Sequence, residues 1–92
     1  MYYVYLLLLK NNQIYTGITQ NLKQRLSEHI NGKVKSTARR RPLKLIHYEA
    51  YLLKSDALRR EKFLKTTEGK RLLRQQLKDL LNKIIWVRPI MR

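Results

Sequence analysis

Positive charge limits how this 92-residue chain can fold. It holds 21 Lys and Arg residues against 6 Asp and Glu, a formal net charge of +15 at pH 7. Hydrophobic residues still make up 43% of the chain, which is too apolar for a disordered basic tail. We therefore predict one small folded domain with its cations on the surface, where a nucleic acid is the first partner to consider.

The composition excludes several other classes of protein. Because the chain has no cysteine, it cannot form a disulfide framework, a thiolate zinc site or a cysteine nucleophile. Its longest apolar run, residues 4–9, is far shorter than the ~20 residues that span a bilayer. We expect a cytoplasmic protein, associated with the nucleoid, that has no membrane partner.

Three segments have the composition of β-strands. Residues 2–9 and 14–19 are rich in Tyr, Val, Leu and Ile and flank a polar break at 10–13, a pattern typical of an antiparallel hairpin. A third strand is predicted at 44–52. Strict alternation there would place Ile46, Tyr48, Ala50 and Leu52 on one face and Leu45, His47, Glu49 and Tyr51 on the other.

Three helices are predicted from apolar residues at helical spacing. In the first, Leu22, Leu26 and Ile30 share one face, and Gly32 follows the end. The predicted N-caps are Thr19 or Asn21 for the first helix, Ser55 for the second and Thr67 for the third. The element order is therefore ββαβαα, an α/β fold, with residues 1–84 as one domain and 85–92 as an unassigned C-terminal tail.

Glu61 stands out among the few acids because of its place on the second helix. With 3.6 residues per turn, Ala57, Leu58 and Leu64 lie within about 60° of it, so its side chain projects from the apolar stripe. The pattern leaves two interpretations open. One is a buried ion pair with an arginine, and the other is a functional carboxylate, such as a metal ligand.

Four further residues have side chains that could take part in catalysis. Arg25 and His29 lie four residues apart on the first helix and share a face, so they could act on one ligand. Taken alone, they are more typical of a solvated charge and a residue near the helix end. Tyr5 and Tyr15 lie on the two arms of the hairpin, where tyrosine is common for packing reasons.

The order of these residues resembles the GIY-YIG nuclease family, in particular its small single-domain bacterial branch. The matching elements are Tyr3-Val4-Tyr5, then nine residues, then Tyr15-Thr16-Gly17, then Arg25 and His29, and finally residues 60–65 around Glu61. The resemblance covers residues 2–77. Tyr3 replaces the first glycine of the family's name motif and Thr16 replaces the second isoleucine, whereas both tyrosines and Gly17 remain.

The resemblance implies a three-stranded antiparallel sheet flanked by helices, and one divalent metal ion, Mg²⁺ or Mn²⁺, held mainly by Glu61. It also implies a tyrosine as general base. We favour Tyr5, with Tyr15 as an orienting or phosphate-contacting partner, although the two could exchange roles. Arg25 would neutralise phosphoryl oxygens. His29 is the competing base, because its ordinary pKa suits the task.

Two basic segments are expected to bind the nucleic-acid backbone. Residues 33–44 contain six cations and no acid, a pattern that predicts a basic loop, and the last helix adds more. The predicted binding residues are Lys33, Lys35, Arg39, Arg40, Arg41, Lys44, Lys70, Arg71 and Arg74. No recognition helix or zinc finger is present in the sequence, so any cleavage should be structure-guided or weakly sequence-selective.

Three functions fit this sequence. The favoured one is a metal-dependent DNA endonuclease in DNA repair or processing, acting as a monomer or a weak dimer. A second is a non-catalytic module of the same fold that binds DNA or RNA. A third is a basic structural protein of a ribonucleoprotein, in which Glu61 would be an ion pair and the tyrosines would only pack.

Overall fold

The computed structural model describes residues 1–84, and it contains a three-stranded antiparallel sheet with helices on both faces. The strands are β1 (Tyr2–Leu8), β2 (Ile14–Thr19) and β3 (Lys44–Tyr51). β1 pairs with both of the others, so the order is β2-β1-β3 and β2 lies at an edge of the sheet. The predicted hairpin and third strand are confirmed, whereas the predicted tail, 85–92, lies outside the described residues.

The helices are α1 (Leu22–Ile30), α2 (Lys54–Leu64), α3 (Thr67–Gln76) and α4 (Lys78–Ile84), and a 3₁₀ turn (Ala38–Arg40) precedes β3. The single last helix that we predicted is thus two. Between them, Leu77 has φ −101° and ψ 23°, which departs from the helical values. None of the helices within residues 1–84 has the length and apolar character needed to cross a bilayer.

Helix starts differ from the prediction at two of three positions. Asn21 caps α1 as expected, because its side chain accepts a hydrogen bond from the Gln24 amide. At α2, Leu53 occupies the N-cap position and forms no side-chain cap bond, so Ser55 lies inside the first turn. At α3 the cap is Thr66, not Thr67. Its hydroxyl donates to the Phe63 carbonyl at 2.6 Å and accepts from Gly69 at 3.0 Å, which joins the end of α2 to the start of α3.

The two faces of the sheet carry two separate cores. On the face covered by α2 and α3, the core residues are Val4, Leu6, Ala57, Leu64 and Leu73. On the opposite face, α1 packs Leu22 and Leu26 against a core formed by Tyr5, Leu7, Leu9 and Leu43. Ile30, predicted to continue that stripe, is 53% exposed.

A β-bulge in β3 breaks the predicted alternation. Leu6 pairs with His47 and Leu7 with Leu45, so Ile46 is an extra residue between them. Ile46 therefore packs with Tyr51 on the α2 face, whereas alternation had placed them on opposite faces. Glu49 pairs with Val4 in the regular part of the ladder, so it faces α2, where it meets Arg60.

Candidate active site

A buried tyrosine hydroxyl lies at the centre of the α1 face. Tyr5, on β1, is 1% exposed, and its hydroxyl oxygen is 2.8 Å from His29 Nε2. Arg25 Nε donates to the same oxygen at 3.4 Å. Arg25 and His29 therefore share a face of α1 as predicted, and both contact one tyrosine. We call Tyr5, Tyr15, Arg25 and His29 the tyrosine cluster.

Tyr15 completes the cluster from the neighbouring strand. Its ring centroid lies 5.1 Å from that of His29 and 6.3 Å from that of Tyr5. Gly17 pairs with Tyr5 across the strands, and a Cβ built on it would lie 2.4 Å from the Tyr5 hydroxyl oxygen. The motif glycine is therefore required by the close approach of the Tyr5 ring to β2.

Thr37 extends the cluster into the segment between α1 and β3. Its hydroxyl lies 2.8 Å from His29 Nδ1 and 3.5 Å from the Val34 carbonyl oxygen, and the residue is fully buried. We predicted this segment as a basic loop, and its sequence gave no reason to bury a threonine. A small polar residue inside a run of cations was the only available signal.

The hydrogen bonds of the cluster have an assignable direction. A guanidinium cannot accept and a carbonyl cannot donate, so Arg25 donates to Tyr5, and Thr37 donates to Val34. We then assign the His29 Nδ1–H as donor to Thr37, which leaves Nε2 to accept from the Tyr5 hydroxyl. In this arrangement Arg25 Nε–H, the Tyr5 hydroxyl, His29 Nδ1–H and the Thr37 hydroxyl each have an acceptor.

Burial determines the protonation states of the cluster. It lowers the pKa of His29 below its ordinary value, and the nearby charge of Arg25 acts in the same direction. Burial raises the pKa of Tyr5, although the hydrogen bond from Arg25 partly opposes this. In the free protein at neutral pH, His29 is therefore neutral and Tyr5 is protonated.

Arg25 connects the buried cluster with the surface. Its side chain is 37% exposed and its Nη1 pairs with Glu28 at 2.9 Å. Both residues line an open, mainly polar cavity of about 420 Å³ between the end of β2 and α1. The hydrogen bonds that Arg25 donates to Tyr5 and Glu28 raise its pKa, so this cavity has a permanent cation in its wall.

Glu61 lies apart from the tyrosine cluster. It is on α2, which packs on the opposite face of the sheet from α1. Its side chain is 15% exposed, and its ion-pair partner among the described residues is Lys65, at 2.7 Å. The predicted orientation toward the protein body is confirmed by this low exposure. Within residues 1–84, no hydrogen bond or ion pair joins Glu61 to Tyr5, Arg25 or His29.

The donor groups fit a weakly held divalent cation better than a preformed metal cage. Within residues 1–84 there is no group of three or more His, Cys, Asp and Glu side chains that could hold a metal ion. Glu61 offers hard oxygen atoms, and its partner Lys65 is 55% exposed and can move away. Mg²⁺ commonly uses one or two carboxylates and completes its shell with waters and substrate phosphates.

The buried arginine pair that we considered for Glu61 belongs to Glu49 instead. Arg60 binds the Glu49 carboxylate with two hydrogen bonds, at 2.9 and 3.1 Å. Tyr51 donates to it at 2.7 Å, and His47 Nε2 lies at 3.1 Å. Burial alone would raise the pKa of Glu49, but the hydrogen bonds from Arg60, Tyr51 and His47 lower it to about 2.

The predicted nucleic-acid-binding residues are not equivalent. Five are exposed in the segment between α1 and β3, namely Lys33, Lys35, Arg39, Arg40 and Arg41. Three are exposed on α3, namely Lys70, Arg71 and Arg74, and the ninth, Lys44, is half-buried. Arg41 donates to the carbonyls of Ala38 and Ile30, so it also holds its own segment on α1. Arg71 forms an ion pair with Glu68.

Comparison with known proteins gives one consistent result. The model of the GIY-YIG catalytic domain matches residues 1–75. A UPF0213 protein of Staphylococcus haemolyticus is 44% identical over 66 residues, which are 71% of this chain and 80% of the relative. A UPF0213 protein of Pediococcus acidilactici is 37% identical over 84 residues, or 88% of this chain and 82% of the relative.

A solved structure has the same architecture. The solution NMR structure of a UPF0213 protein from Bacillus halodurans is similar with a TM-score of 0.54 and 34% sequence identity. The similarity covers 83% of this chain and 85% of that one. The α/β fold with a three-stranded antiparallel sheet is therefore shared with these relatives.

Proposed function

This chain belongs to the GIY-YIG nuclease family, and we propose that it is a divalent-metal-dependent endonuclease that hydrolyses phosphodiester bonds in DNA. The observation that carries the proposal is the buried Tyr5 hydroxyl, 2.8 Å from a neutral His29 and in contact with Arg25. Any buried tyrosine hydroxyl needs a hydrogen-bond acceptor, but a tyrosine that only packs needs no cation at its oxygen.

Tyr5 is the general base in this proposal. Its oxygen accepts one hydrogen bond from Arg25 and gives its proton to His29, and Tyr15 is also a hydrogen-bond partner, so a water molecule would take the place of Tyr15. When the Tyr5 proton passes to His29 Nε2, the phenolate can take a proton from that water. In the free protein this transfer is uphill, because burial raises the pKa of Tyr5 and lowers that of His29. It therefore belongs to the substrate complex.

His29 acts through Tyr5 in this proposal. The His29 side chain is fully buried, and both ring nitrogens are already hydrogen-bonded, to Tyr5 and to Thr37. No lone pair is left for direct contact with water. The geometry therefore supports His29 as the proton acceptor of Tyr5 and disfavours it as a direct base.

Arg25 and Glu61 would act on the phosphate group itself. Arg25 already lies beside Tyr5 and lines an open cavity, so it can bind a phosphoryl oxygen through its remaining donors. Glu61 would hold Mg²⁺ or Mn²⁺, which supplies charge neutralisation at the phosphate and the leaving oxygen when bound. For this to happen Glu61 must exchange Lys65 for the cation.

The wider proposal follows from charge and size. The net charge of +15 suits contact with the backbone of DNA, and such contacts carry little sequence information. We propose a single catalytic unit over residues 1–84 that works as a monomer or a weak dimer. Its setting would be the cytoplasm, at the nucleoid, in DNA repair or processing, and its cleavage would be guided by DNA structure.

A cleavage assay tests the proposal. Purified protein is incubated with nicked, branched and duplex DNA in Mg²⁺, in Mn²⁺ and in EDTA. We expect metal-dependent cleavage that Glu61→Gln and Tyr5→Phe abolish without loss of DNA binding. Glu68→Gln and Tyr48→Phe are the matched controls, because both residues are exposed and lie outside the cluster. Cleavage by Glu61→Gln at the wild-type rate would remove Glu61 from the mechanism.

A non-catalytic module that binds DNA or RNA is the second candidate. The separation of Glu61 from the tyrosine cluster favours it, because the proposed metal ligand and the proposed base lie on opposite faces of the sheet. This function predicts salt-sensitive binding of DNA or RNA and no cleavage in either metal ion. The same assay, with an RNA substrate added, distinguishes the two.

A further inference from the structure

The two basic segments of the sequence meet at one cavity. It has a volume of about 250 Å³, many times the ~30 Å³ that one water occupies in the liquid. Arg40 approaches it from the 3₁₀ turn, and Lys70 and Arg74 from α3. Gln13 and Thr16 add polar groups, and aliphatic side chains form the rest of the lining. We call it the basic cavity.

We propose that the basic cavity binds one backbone phosphate of the nucleic acid, at a position other than the phosphate that is cleaved. This rests on the proposed function, because it assumes a nucleic-acid substrate. The cavity would act as a second anchor and would leave the chemistry to the tyrosine cluster.

The cations of the cavity keep their charge available. Arg40 Nη1 donates to the Gln13 side-chain oxygen at 3.3 Å, and Arg74 Nη2 to the Asn12 carbonyl at 3.2 Å. Both partners are neutral, so they orient the guanidinium groups without cancelling their charge. Among the ion pairs of residues 1–84, none includes Arg40, Lys70 or Arg74.

The helical spacing of α3 supports a common target for two of these cations. Lys70 and Arg74 are four residues apart and therefore lie on the same face of the helix. Arg71 lies only about 60° around the helix from Arg74, but it is paired with Glu68 and does not line the cavity. The charge of Arg71 is thus neutralised, whereas the charges of Lys70 and Arg74 are left for a ligand.

The position of Thr16 relates the cavity to the tyrosine cluster. Thr16 lines the cavity on the α2 face of β2, whereas its neighbours Tyr15 and Gly17 lie on the face of Tyr5. The cavity and the cluster therefore flank the same edge strand from opposite sides. A nucleic-acid strand that crosses the edge of β2 can contact both.

The test compares two variants that each remove two charges. Lys70→Ala/Arg74→Ala alters the cavity, and Lys54→Ala/Arg59→Ala removes two exposed cations of α2 that do not line it. Binding of a labelled nicked duplex is measured by fluorescence anisotropy in EDTA at several salt concentrations. Thermal unfolding checks that each variant is folded.

We expect the cavity variant to bind several times more weakly than the control variant. The plot of the logarithm of the association constant against the logarithm of the salt concentration should become less steep by about 0.9, the value for one phosphate on duplex DNA. Equal weakening in both variants would overturn the proposal, since only net charge would then matter.

A titration with inorganic phosphate separates a nucleic-acid phosphate from a free anion. Amide NMR signals of Gln13 and Thr16 should shift with DNA at low micromolar protein, and shift less with inorganic phosphate at matched ionic strength. Shifts with inorganic phosphate but none with DNA would overturn the proposal. Cleavage by the wild-type protein is scored separately, so failure of the cavity and failure of the nuclease function give different results.

Discussion

At the scale of single residues, Thr37 controls which nitrogen of His29 can accept a proton. The hydroxyl of Thr37 holds the Nδ1 side of the ring at 2.8 Å, so Nε2 faces Tyr5 with its lone pair. If this contact were lost, the other tautomer could form and Nε2–H would point at the tyrosine oxygen. Tyr5 would then have no acceptor for its proton.

We therefore expect Thr37→Val to slow cleavage. The two side chains have nearly the same shape, but valine cannot accept from Nδ1, so the rate at saturating DNA should fall by up to about 100-fold, part of the usual contribution of a general base. Single-turnover kinetics across pH 6–9 measure this. Thr37→Ser keeps the hydroxyl and should restore most of the rate. An unchanged rate and pH profile in Thr37→Val would show that Thr37 has no part in orienting His29.

A second residue-scale prediction concerns Gly17. An added Cβ would lie 2.4 Å from both Cζ and the oxygen of Tyr5, so Gly17→Ala should displace the ring and lower the free energy of unfolding by about 1–3 kcal/mol. Thermal or urea unfolding measures the loss. In a Tyr5→Leu background the same substitution should cost much less, because the shorter side chain leaves room. Equal costs in the two backgrounds would contradict the assigned contact.

Residue-level geometry could be predicted from sequence only where a regular element sets the direction of a side chain. The spacing of Arg25 and His29 on α1 placed them on one face, and both contact Tyr5. Thr37 could not be found in this way, because an irregular segment has no period. The helical pattern correctly predicted that Glu61 faces the body of the protein. Its distance from the tyrosine cluster could not be predicted, because it depends on how α2 packs against the sheet.

At the scale of secondary-structure elements, the Glu49 carboxylate links β3 to α2. Glu49 on the strand receives two hydrogen bonds from Arg60 on the helix, and Arg60 directly precedes Glu61. The pair therefore fixes how the helical turn that carries the proposed metal ligand is rotated and placed relative to the sheet. Replacing either partner would leave the other half-buried without its counter-charge.

The Glu49 pair should make stability depend on pH in the acid range. Its pKa is about 2 in the folded protein against an ordinary 4.5, so its stabilising contribution is complete above pH 5 and is lost as the pH falls toward 2. The contribution is of the order of 3 kcal/mol at most. Urea unfolding at pH 3 and pH 6 should show this loss in the wild type, and a much smaller loss in Glu49→Gln. Asp56→Asn is the control, since that pair is exposed, and it should keep the wild-type pH dependence.

Elements were predicted from sequence more accurately than their ends and irregularities. The three strands and the first helix follow from period and composition, and all are present. The β-bulge at Ile46 was missed, because an extra residue in one strand appears only in its pairing with another. The cap of α3 was placed one residue late, since adjacent threonines at 66 and 67 are both good caps and only packing against α2 selects the first.

At the scale of the whole molecule, metal binding should depend on DNA. Glu61 is a single carboxylate and no ready group of three ligands exists within residues 1–84, so the free protein should hold Mg²⁺ weakly. A ligand that binds the folded state raises Tm, and weak binding raises it little. The Tm without DNA should therefore change no more in Mg²⁺ than in NaCl of the same ionic strength. A rise specific to Mg²⁺ that Glu61→Gln removes would indicate a complete site in the free protein.

The position of β2 has a further consequence for how copies of the protein meet. An edge strand offers unpaired N–H and C=O groups, which can join the edge of another copy and start aggregation. Here Arg25 lies on one side of that edge, and Arg40, Lys70 and Arg74 lie on the other. Two such edges would bring like charges together, so the cations that would guide DNA also keep neighbouring molecules apart. Resistance to this pairing and the proposed binding of DNA would in this way be two results of one charge distribution, and a polyanion that neutralises it would leave the edge of β2 open to pairing.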